Sequence, residues 1–260
     1  GKMGKILEAK ALERGHSVIA AVDPVVKTAL SFPVYPSLEE ALGAGPGKGL
    51  KDADVALEFT RPDTAPVNIL FLAGQKIPVV TGTTGWYGRL PEIGAAVESA
   101  GSALLWASNF SLGVNLFYRV AAYAAALADH FPEYDVGGYE SHHNKKADSP
   151  SGTARTLVEQ VLGQMKRKTK AVYDKLDRPP AGDELHFASI RAGAVPGVHS
   201  LFFDSPADTI EITHTARNRE GFAAGALVAA EWLAAQKRSG IFTMDQVLGD
   251  ILGACGASRI

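Results

Sequence analysis

Ile77-Pro78-Val79-Val80-Thr81-Gly82-Thr83-Thr84-Gly85 reads as a short apolar strand that stops at a run of small and hydroxyl-bearing residues, with a helix over residues 90–100 after it. The same unit recurs on both sides. Upstream, Val55-Ala56-Leu57-Glu58-Phe59 runs into Thr60-Arg61-Pro62 and then a helix over 67–73; downstream, Ala103-Leu104-Leu105-Trp106-Ala107 ends in Ser108-Asn109-Phe110. Strand, loop and helix in recurrence predict a parallel, doubly wound sheet, because parallel neighbours need a crossover that a helix supplies.

Further upstream, Gly1-Lys2-Met3-Gly4-Lys5 leads into Ile6, Leu7 and Leu12 at helical spacing, closed by Gly15. Residues 17–22 then form a strand ending in Asp23, and residues 37–42 a short capped helix before a Gly-rich loop over 44–49. If Gly1 and Gly4 are the last two glycines of a G-x-x-G-x-x-G turn, Asp23 follows Gly4 by 19 positions. That is near the offset of about 20 at which an acidic residue meets an adenosine ribose. The strand that should open such a unit is not seen, and a short segment carrying it is expected ahead of Gly1. In an open parallel sheet the ligand lies beyond the carboxyl ends of the strands. Those ends carry Asp23, Phe59-Thr60, Gly82-Thr83-Thr84 and Ser108-Asn109. Each alone is also an ordinary turn; four in register predict a nucleotide-sized ligand.

A long, largely apolar helix over 112–127 leads into a region of different pattern. Strands are expected over 134–139, 185–191, 198–203 and 209–215, the last two joined by Asp204-Ser205-Pro206-Ala207-Asp208. Few helices separate them, so a mixed sheet is expected, one face covered by helices over 112–127 and 153–165 and the other open to a neighbouring subunit. The basic run over 166–170 reads as a solvated helix end. Apolar helices over 221–237 and 244–252 close the chain, the first expected to return to the first sheet. The fold class is therefore α/β, a Rossmann-type domain from 1–110 and 221–260 around a second α+β domain over 111–220 with substrate-binding and oligomerisation roles.

The chemistry concentrates in Tyr139-Glu140-Ser141-His142-His143-Asn144-Lys145-Lys146-Ala147-Asp148-Ser149-Pro150-Ser151-Gly152-Thr153-Ala154. Pro150-Ser151-Gly152-Thr153 opens a helix, where N–H groups, hydroxyls and the positive dipole end can cradle an anion; the same residues also make a plain N-cap. His142 and His143 exchange protons near neutral pH, and Lys146 is a compact cation on a long stem. Adjacent histidines point apart and no cysteine or HExxH spacing accompanies them, so no metal site is expected.

Composition sets bounds. The 260 residues are 46% hydrophobic and 21% charged with a net charge of −2, without the basic stripe of a nucleic-acid binder. No apolar run has membrane-spanning length and no secretory leader is read. A single cysteine, Cys255, excludes an internal disulfide and fits a reducing cytoplasm.

Taken together, Gly1-Lys2-Met3-Gly4, residues 58–62 (Glu-Phe-Thr-Arg-Pro), 82–85 (Gly-Thr-Thr-Gly), 109–115 (Asn-Phe-Ser-Leu-Gly-Val-Asn) and above all 140–154 resemble the 4-hydroxy-tetrahydrodipicolinate (dihydrodipicolinate) reductase family of lysine and diaminopimelate biosynthesis. The resemblance covers nearly the whole chain. It implies hydride transfer from NADH or NADPH to a cyclic imine dicarboxylate with loss of water, by a homotetramer assembled through the second domains. It implies His142 as general acid and Lys146 as its cationic partner near the ring nitrogen. His143, Lys146, Ser151, Gly152 and Thr153 would hold the substrate carboxylates. Lys2, Met3, Asp23, Phe59, Thr60, Gly82, Thr84, Asn109 and Phe110 would line the cofactor, with Gly1 and Thr83 beside them and Arg219 and Phe222 approaching as the chain returns.

A histidine of ordinary pKa near 6.5 suits a donor at neutral pH better than a lysine near 10.4. A dicarboxylate also explains Lys145, Lys146 and a helix N-terminus in one loop of a slightly acidic protein. Where members that use NADPH freely often carry a basic residue, Asp23 is followed by Pro24. A carboxylate repels a 2′-phosphate, which predicts a preference for NADH, with Lys2 a partial rescue for NADPH. Two rivals stand beside this reading: another amino-acid-pathway dehydrogenase, such as an aspartate or homoserine dehydrogenase, and a non-catalytic dinucleotide-sensing module.

Overall fold

The computed structural model describes residues 1–25, 31–45, 49–173 and 175–256. Two compact units divide the chain: Gly1–Ser111 with Glu220–Ile260, and Leu112–Arg219.

In the first unit, α1 (Lys2–Glu13) starts directly behind Gly1 and ends at Arg14, after which Gly15 takes a φ of 82°. A left-handed residue stops the helix, and glycine adopts it without a Cβ penalty. β1 (Ala21–Val22) pairs in parallel with β2 (Val34–Tyr35) as a ladder of its own. Residues 17–20, expected to extend β1, find no ladder partner among the described residues. Ser37 caps α2 (Leu38–Leu42), its side chain accepting from the Glu40 N–H at 3.2 Å. Of the Gly-rich loop expected next, residues 46–48 lie outside the described residues.

β3 (Ala56–Glu58), β4 (Val79–Thr81), β5 (Ala103–Trp106) and β11 (Gly240–Thr243) form one sheet in the order β11-β5-β4-β3, every pair parallel. This is the expected parallel sheet. Its edge strand β11 was not expected: four residues after a long helix carry too little pattern to register as a strand until β5 supplies partners. The register pairs Glu58 with Thr81 and Thr81 with Trp106, so the carboxyl ends finish level.

Val79 and Leu104 pack with Ile69 and Leu72 of α3 (Ala65–Gly74) and Ile93 and Val97 of α4 (Leu90–Ser99). Successive strand residues alternate faces. Val80 and Leu105, both fully buried, therefore point to the opposite face, against which α7 (Glu220–Gln236) packs. The helix α8 (Met244–Gly256) completes this unit.

The second unit is a five-stranded mixed sheet in the order β10-β9-β6-β8-β7, made of β6 (Asp135–His142), β7 (Lys170–Val172), β8 (Glu184–Arg191), β9 (Val198–Asp204) and β10 (Thr209–Thr215). β6 runs parallel to β8 and antiparallel to β9. Helices α5 (Leu112–Ala128) and α6 (Gly152–Leu162) cover one face, closing Phe117, Ala121, Leu157, Val161, Phe187, Leu201 and Phe203 into a core. On the other face Ile190 and Phe202 stay exposed.

Two expectations are corrected here. β6 continues past Tyr139 through His142, because Glu140, Ser141 and His142 pair in register with Ser189, Ile190 and Arg191. The basic run over 166–170 is not a solvated helix end throughout. Lys168 is 3% exposed, its ammonium donating to the Glu184 carbonyl at 2.8 Å and standing 2.6 Å from Asp135. Its ammonium sits between the first residues of β6 and β8, and a buried charge is tolerated there because it is paired.

Among the described residues no helix is long and apolar enough to cross a membrane.

Candidate active site

In the first unit, the carboxyl ends of β3 and β4 open onto a cleft of about 230 Å³ lined by Met3, Phe59, Thr60, Pro62, Gly82, Thr83 and Thr84. Its floor is held by one buried carboxylate. Glu58 accepts from the Thr60 N–H at 3.0 Å, from the Thr60 hydroxyl and from Thr81 Oγ1 at 2.5 Å, and Thr83 Oγ1 takes a second bond from the Thr60 N–H at 2.8 Å. Gly82 permits the close approach of this turn: a Cβ there would stand 2.2 Å from the Phe59 ring. Phe59 in turn meets the Phe110 ring at 6.1 Å.

Asn109 accepts the Ser111 N–H through Oδ1 at 2.8 Å, which closes the turn after β5. Asp23 follows β1, with Oδ2 3.3 Å from the Gly1 nitrogen at the start of α1. Of the residues expected at a cofactor, Met3, Phe59, Thr60, Gly82, Thr83 and Thr84 therefore share one cleft. Gly1, Lys2, Asp23, Asn109, Phe110 and Phe222 belong to the same unit without lining it, and exposed Arg219 ends the second unit. The fit to a dinucleotide is good in kind: threonine hydroxyls, a glycine whose Cβ would collide with the Phe59 ring, and an acidic residue beside the start of a helix.

The second unit gathers the residues at the end of β6. Glu140 and His142 share the face that α6 covers, since they are two apart on one strand. The Glu140 carboxylate is fully buried. Its Oε1 accepts from the Ser151 N–H at 2.9 Å, Ser189 Oγ at 2.9 Å and the Arg191 guanidinium at 2.8 Å. Oε2 stands 3.3 Å from His142 Nδ1 and 3.4 Å from His199 Nε2. Burial pushes the Glu140 carboxyl up, but contact with His199, Ser151 and Arg191 overcomes this and holds it well below the usual carboxylate range.

Burial pushes His142 down to about 4; Glu140 opposes the shift, while His199, Lys146 and Arg191 reinforce it. The expectation of an ordinary histidine near 6.5 is thus corrected. The ring is 8% exposed and faces three cationic or imidazole groups with a single carboxylate to offset them.

The loop beyond β6 is tied back to the sheet. The Asn144 N–H donates to the Gly193 carbonyl at 3.2 Å, the Lys146 N–H to the His143 carbonyl at 3.1 Å, and Arg191 to the Asp148 carbonyl at 2.6 Å. Lys146 Nζ lies 2.8 Å from Asp148 Oδ1. Ser151 caps α6, accepting the Ala154 N–H at 3.1 Å, and meets His199 Nε2 at 3.3 Å. Gly152 is exposed and Thr153 half-buried on the first turn; His143, one residue past the strand, is half-buried where His142 is buried. His142, Ser151, Glu140, Arg191 and His199 therefore form one connected cluster, with Lys146 held at its edge through Asp148.

The two halves of the chain match, in order, the N-terminal model of dihydrodipicolinate reductase over residues 1–110 and the C-terminal model over 113–248. The chain belongs to the dihydrodipicolinate reductase family. It is 37% identical to the 4-hydroxy-tetrahydrodipicolinate reductase of Christiangramia forsetii, covering 96% of this chain and 95% of the relative. It is 34% identical to the enzyme of the same name from Archaeoglobus fulgidus, over 95% and 96%. Among solved structures, a dipicolinate-bound dihydrodipicolinate reductase from Paenisporosarcina sp. TG-14 superposes with a TM-score of 0.74 at 21% identity, covering 94% of each chain. An amine dehydrogenase from Mycobacterium smegmatis follows at a TM-score of 0.58 and 12% identity, over 94% and 93%. The likeness to these two structures is one of fold.

As a member of this family the chain is an oxidoreductase. Within it, Glu140, Arg191 and His199 are functional candidates that sequence reading left without a role. The available signal was parity: Glu140 shares a strand face with Val136, and His199 with Leu201 and Phe203. A charged or imidazole group on an apolar face needs partners, and three such positions on neighbouring strands point at each other.

Proposed function

We propose that the chain reduces 4-hydroxy-tetrahydrodipicolinate to tetrahydrodipicolinate in the diaminopimelate route to lysine. One hydride and one proton enter the substrate and one water leaves. The observation that carries this reading is the cluster in the second unit. It sets a proton-exchanging imidazole, a lysine ammonium and the N-terminus of α6 around the carboxyl end of β6, the central strand of a mixed sheet, in a chain of this family.

The dinucleotide, when bound, supplies the hydride. Everything else falls to side chains. His142 delivers the proton, Lys146 steadies negative charge near the ring nitrogen, and His143, Ser151, Gly152 and Thr153 hold the carboxylates at the positive end of α6. The first unit is the dinucleotide-binding domain: Gly1, Lys2, Met3, Phe59, Thr60, Gly82, Thr83 and Thr84 take the cofactor, with Asn109, Phe110, Arg219 and Phe222 beside them. Asp23 reads the adenosine ribose and favours NADH over NADPH. The second unit binds substrate and assembles the molecule: the exposed Ile190 and Phe202 on its open face support a homotetramer. The composition supports a cytoplasmic enzyme.

Protein mixed with NADH and the product of the preceding synthase should lose absorbance at the reduced-nicotinamide band. A dinucleotide-sensing module would bind and leave it flat. His142→Gln should lower turnover by roughly 10²–10⁴-fold with substrate affinity little changed. A large affinity loss at unchanged turnover would reassign His142 to binding.

A further inference from the structure

Glu140 is the most heavily engaged buried carboxylate near His142, and the reaction as read above gives it no part. Its surroundings are unequal on its two oxygens. Oε1 is saturated by the Ser151 N–H, the Ser189 hydroxyl and Arg191. Oε2 lies between two imidazoles: 3.3 Å from His142 Nδ1, which has no other partner, and 3.4 Å from His199 Nε2, which also meets Ser151 Oγ at 3.3 Å. A buried ring nitrogen with no other partner, at this distance from a fixed carboxylate, is costly unless the carboxylate serves it. The other ring nitrogen of His142 lies over Gly197, whose φ of 150° is a backbone position that glycine favours; a Cβ there would stand 3.1 Å from Nε2.

We propose that Glu140 is a positioning residue for the reductive step: its Oε2 holds the His142 proton on Nδ1, leaves Nε2 as the nitrogen that takes up and gives the proton, and supports the imidazolium that must form before a proton is given up. The inference rests on His142 being the proton donor.

Charge accounting favours this role over the two alternatives. Glu140, Arg191, His199 and Lys146 are the charged or titratable groups that act on the His142 ring from β6, β8, β9 and the loop. Glu140 is the only anion among them. Without it, nothing in the cluster would stabilise a protonated His142. A metal is the first alternative, since Glu140, His142 and His199 offer ligand atoms within 4.8 Å of one another. Arg191 already sits on the same carboxylate at 2.8 Å and repels a divalent ion there. A purely structural clamp, tying Ser151 to Arg191, is the second. It is served by Oε1 and by Oε2 against His199, and it leaves His142 Nδ1 buried 3.3 Å from the same carboxylate without a role.

Glu140→Gln keeps the volume and the Oε1 acceptor while removing the charge. Turnover should fall on the order of 10²-fold, as for other carboxylates that orient a histidine, with KM changed by less than about threefold. Because the carboxylate raises the proton affinity of His142, its loss should move the alkaline limb of the kcat profile to lower pH. In wild-type protein at neutral pH, ¹⁵N shifts of the His142 ring, identified by their absence in His142→Gln, should report a proton on Nδ1 and a bare Nε2. This reading needs no variant at position 140 to fold. A proton on Nε2, or a Glu140→Gln enzyme with unchanged turnover and limb while His142→Gln is crippled, overturns the proposal and leaves His142 as the acid. If His142→Gln itself keeps its turnover, the functional reading fails instead.

Discussion

Lys146 Nζ rests 2.8 Å from the Asp148 carboxylate, so the cation expected to steady an anionic substrate is already engaged within its own loop. Asp148 is the more exposed partner, at 56% against 22% for the lysine side chain. A dicarboxylate therefore competes with a tethered carboxylate for the same ammonium. Partly exposed pairs of this kind contribute about 0.2–1 kcal/mol.

Asp148→Asn should release Lys146 and lower KM for the dicarboxylate roughly two- to fivefold, with kcat little changed. Steady-state kinetics at low and moderate salt check this, since the gain should shrink as screening rises. A raised KM would mean that Asp148 orders the loop more than it occupies the lysine.

Burial holds His142 down at about 4 against an ordinary value of 6.5. Between those two pH values the unfolded chain binds a proton at this residue that the folded chain refuses. Stability from His142 is therefore fully present above pH 6.5 and is lost as pH falls towards 4, by up to about 3 kcal/mol. Glu140, held below the ordinary carboxylate range, adds a further loss only below about pH 4.5. Urea titrations between neutral pH and about pH 5 should show the decline, and His142→Gln should flatten it.

Asp23 Oδ2 lies beside the start of α1, where a dinucleotide's adenosine ribose is expected. Its carboxylate should disfavour a 2′-phosphate, giving NADH the higher kcat/KM. Asp23→Ser should narrow that preference by about an order of magnitude, chiefly through a lower KM for NADPH. Comparing kcat/KM for the two cofactors in both proteins decides the matter; an unchanged ratio would remove Asp23 from the ribose pocket.

Much was legible in the order of residues. Apolar strands ending in Phe59-Thr60, Gly82-Thr83 and Ser108-Asn109 predicted a parallel sheet, because the crossover helices between them have their own period and the turns their own chemistry. The sixteen residues from Tyr139 stood out by density of charge. Pattern failed where an element is short or depends on a partner. β2, β7 and β11 are two to four residues long and become strands only through their neighbours.

By itself, then, the sequence determined the fold class and which loop carries the ionisable groups, since these follow from periodicity and from residue type at fixed spacing; the family entered as a resemblance of whole motifs. Only the tertiary structure decided that β6 runs on to His142, that Lys168 is buried, and that Glu140 meets Arg191 from β8 and His199 from β9. Those facts depend on strand register, which brings residues 49 to 59 positions apart within hydrogen-bond or ion-pair range of one carboxylate. The lowered proton affinity of His142 has the same origin: it is a property of the surroundings that burial and register assemble, and no local stretch of chain contains it.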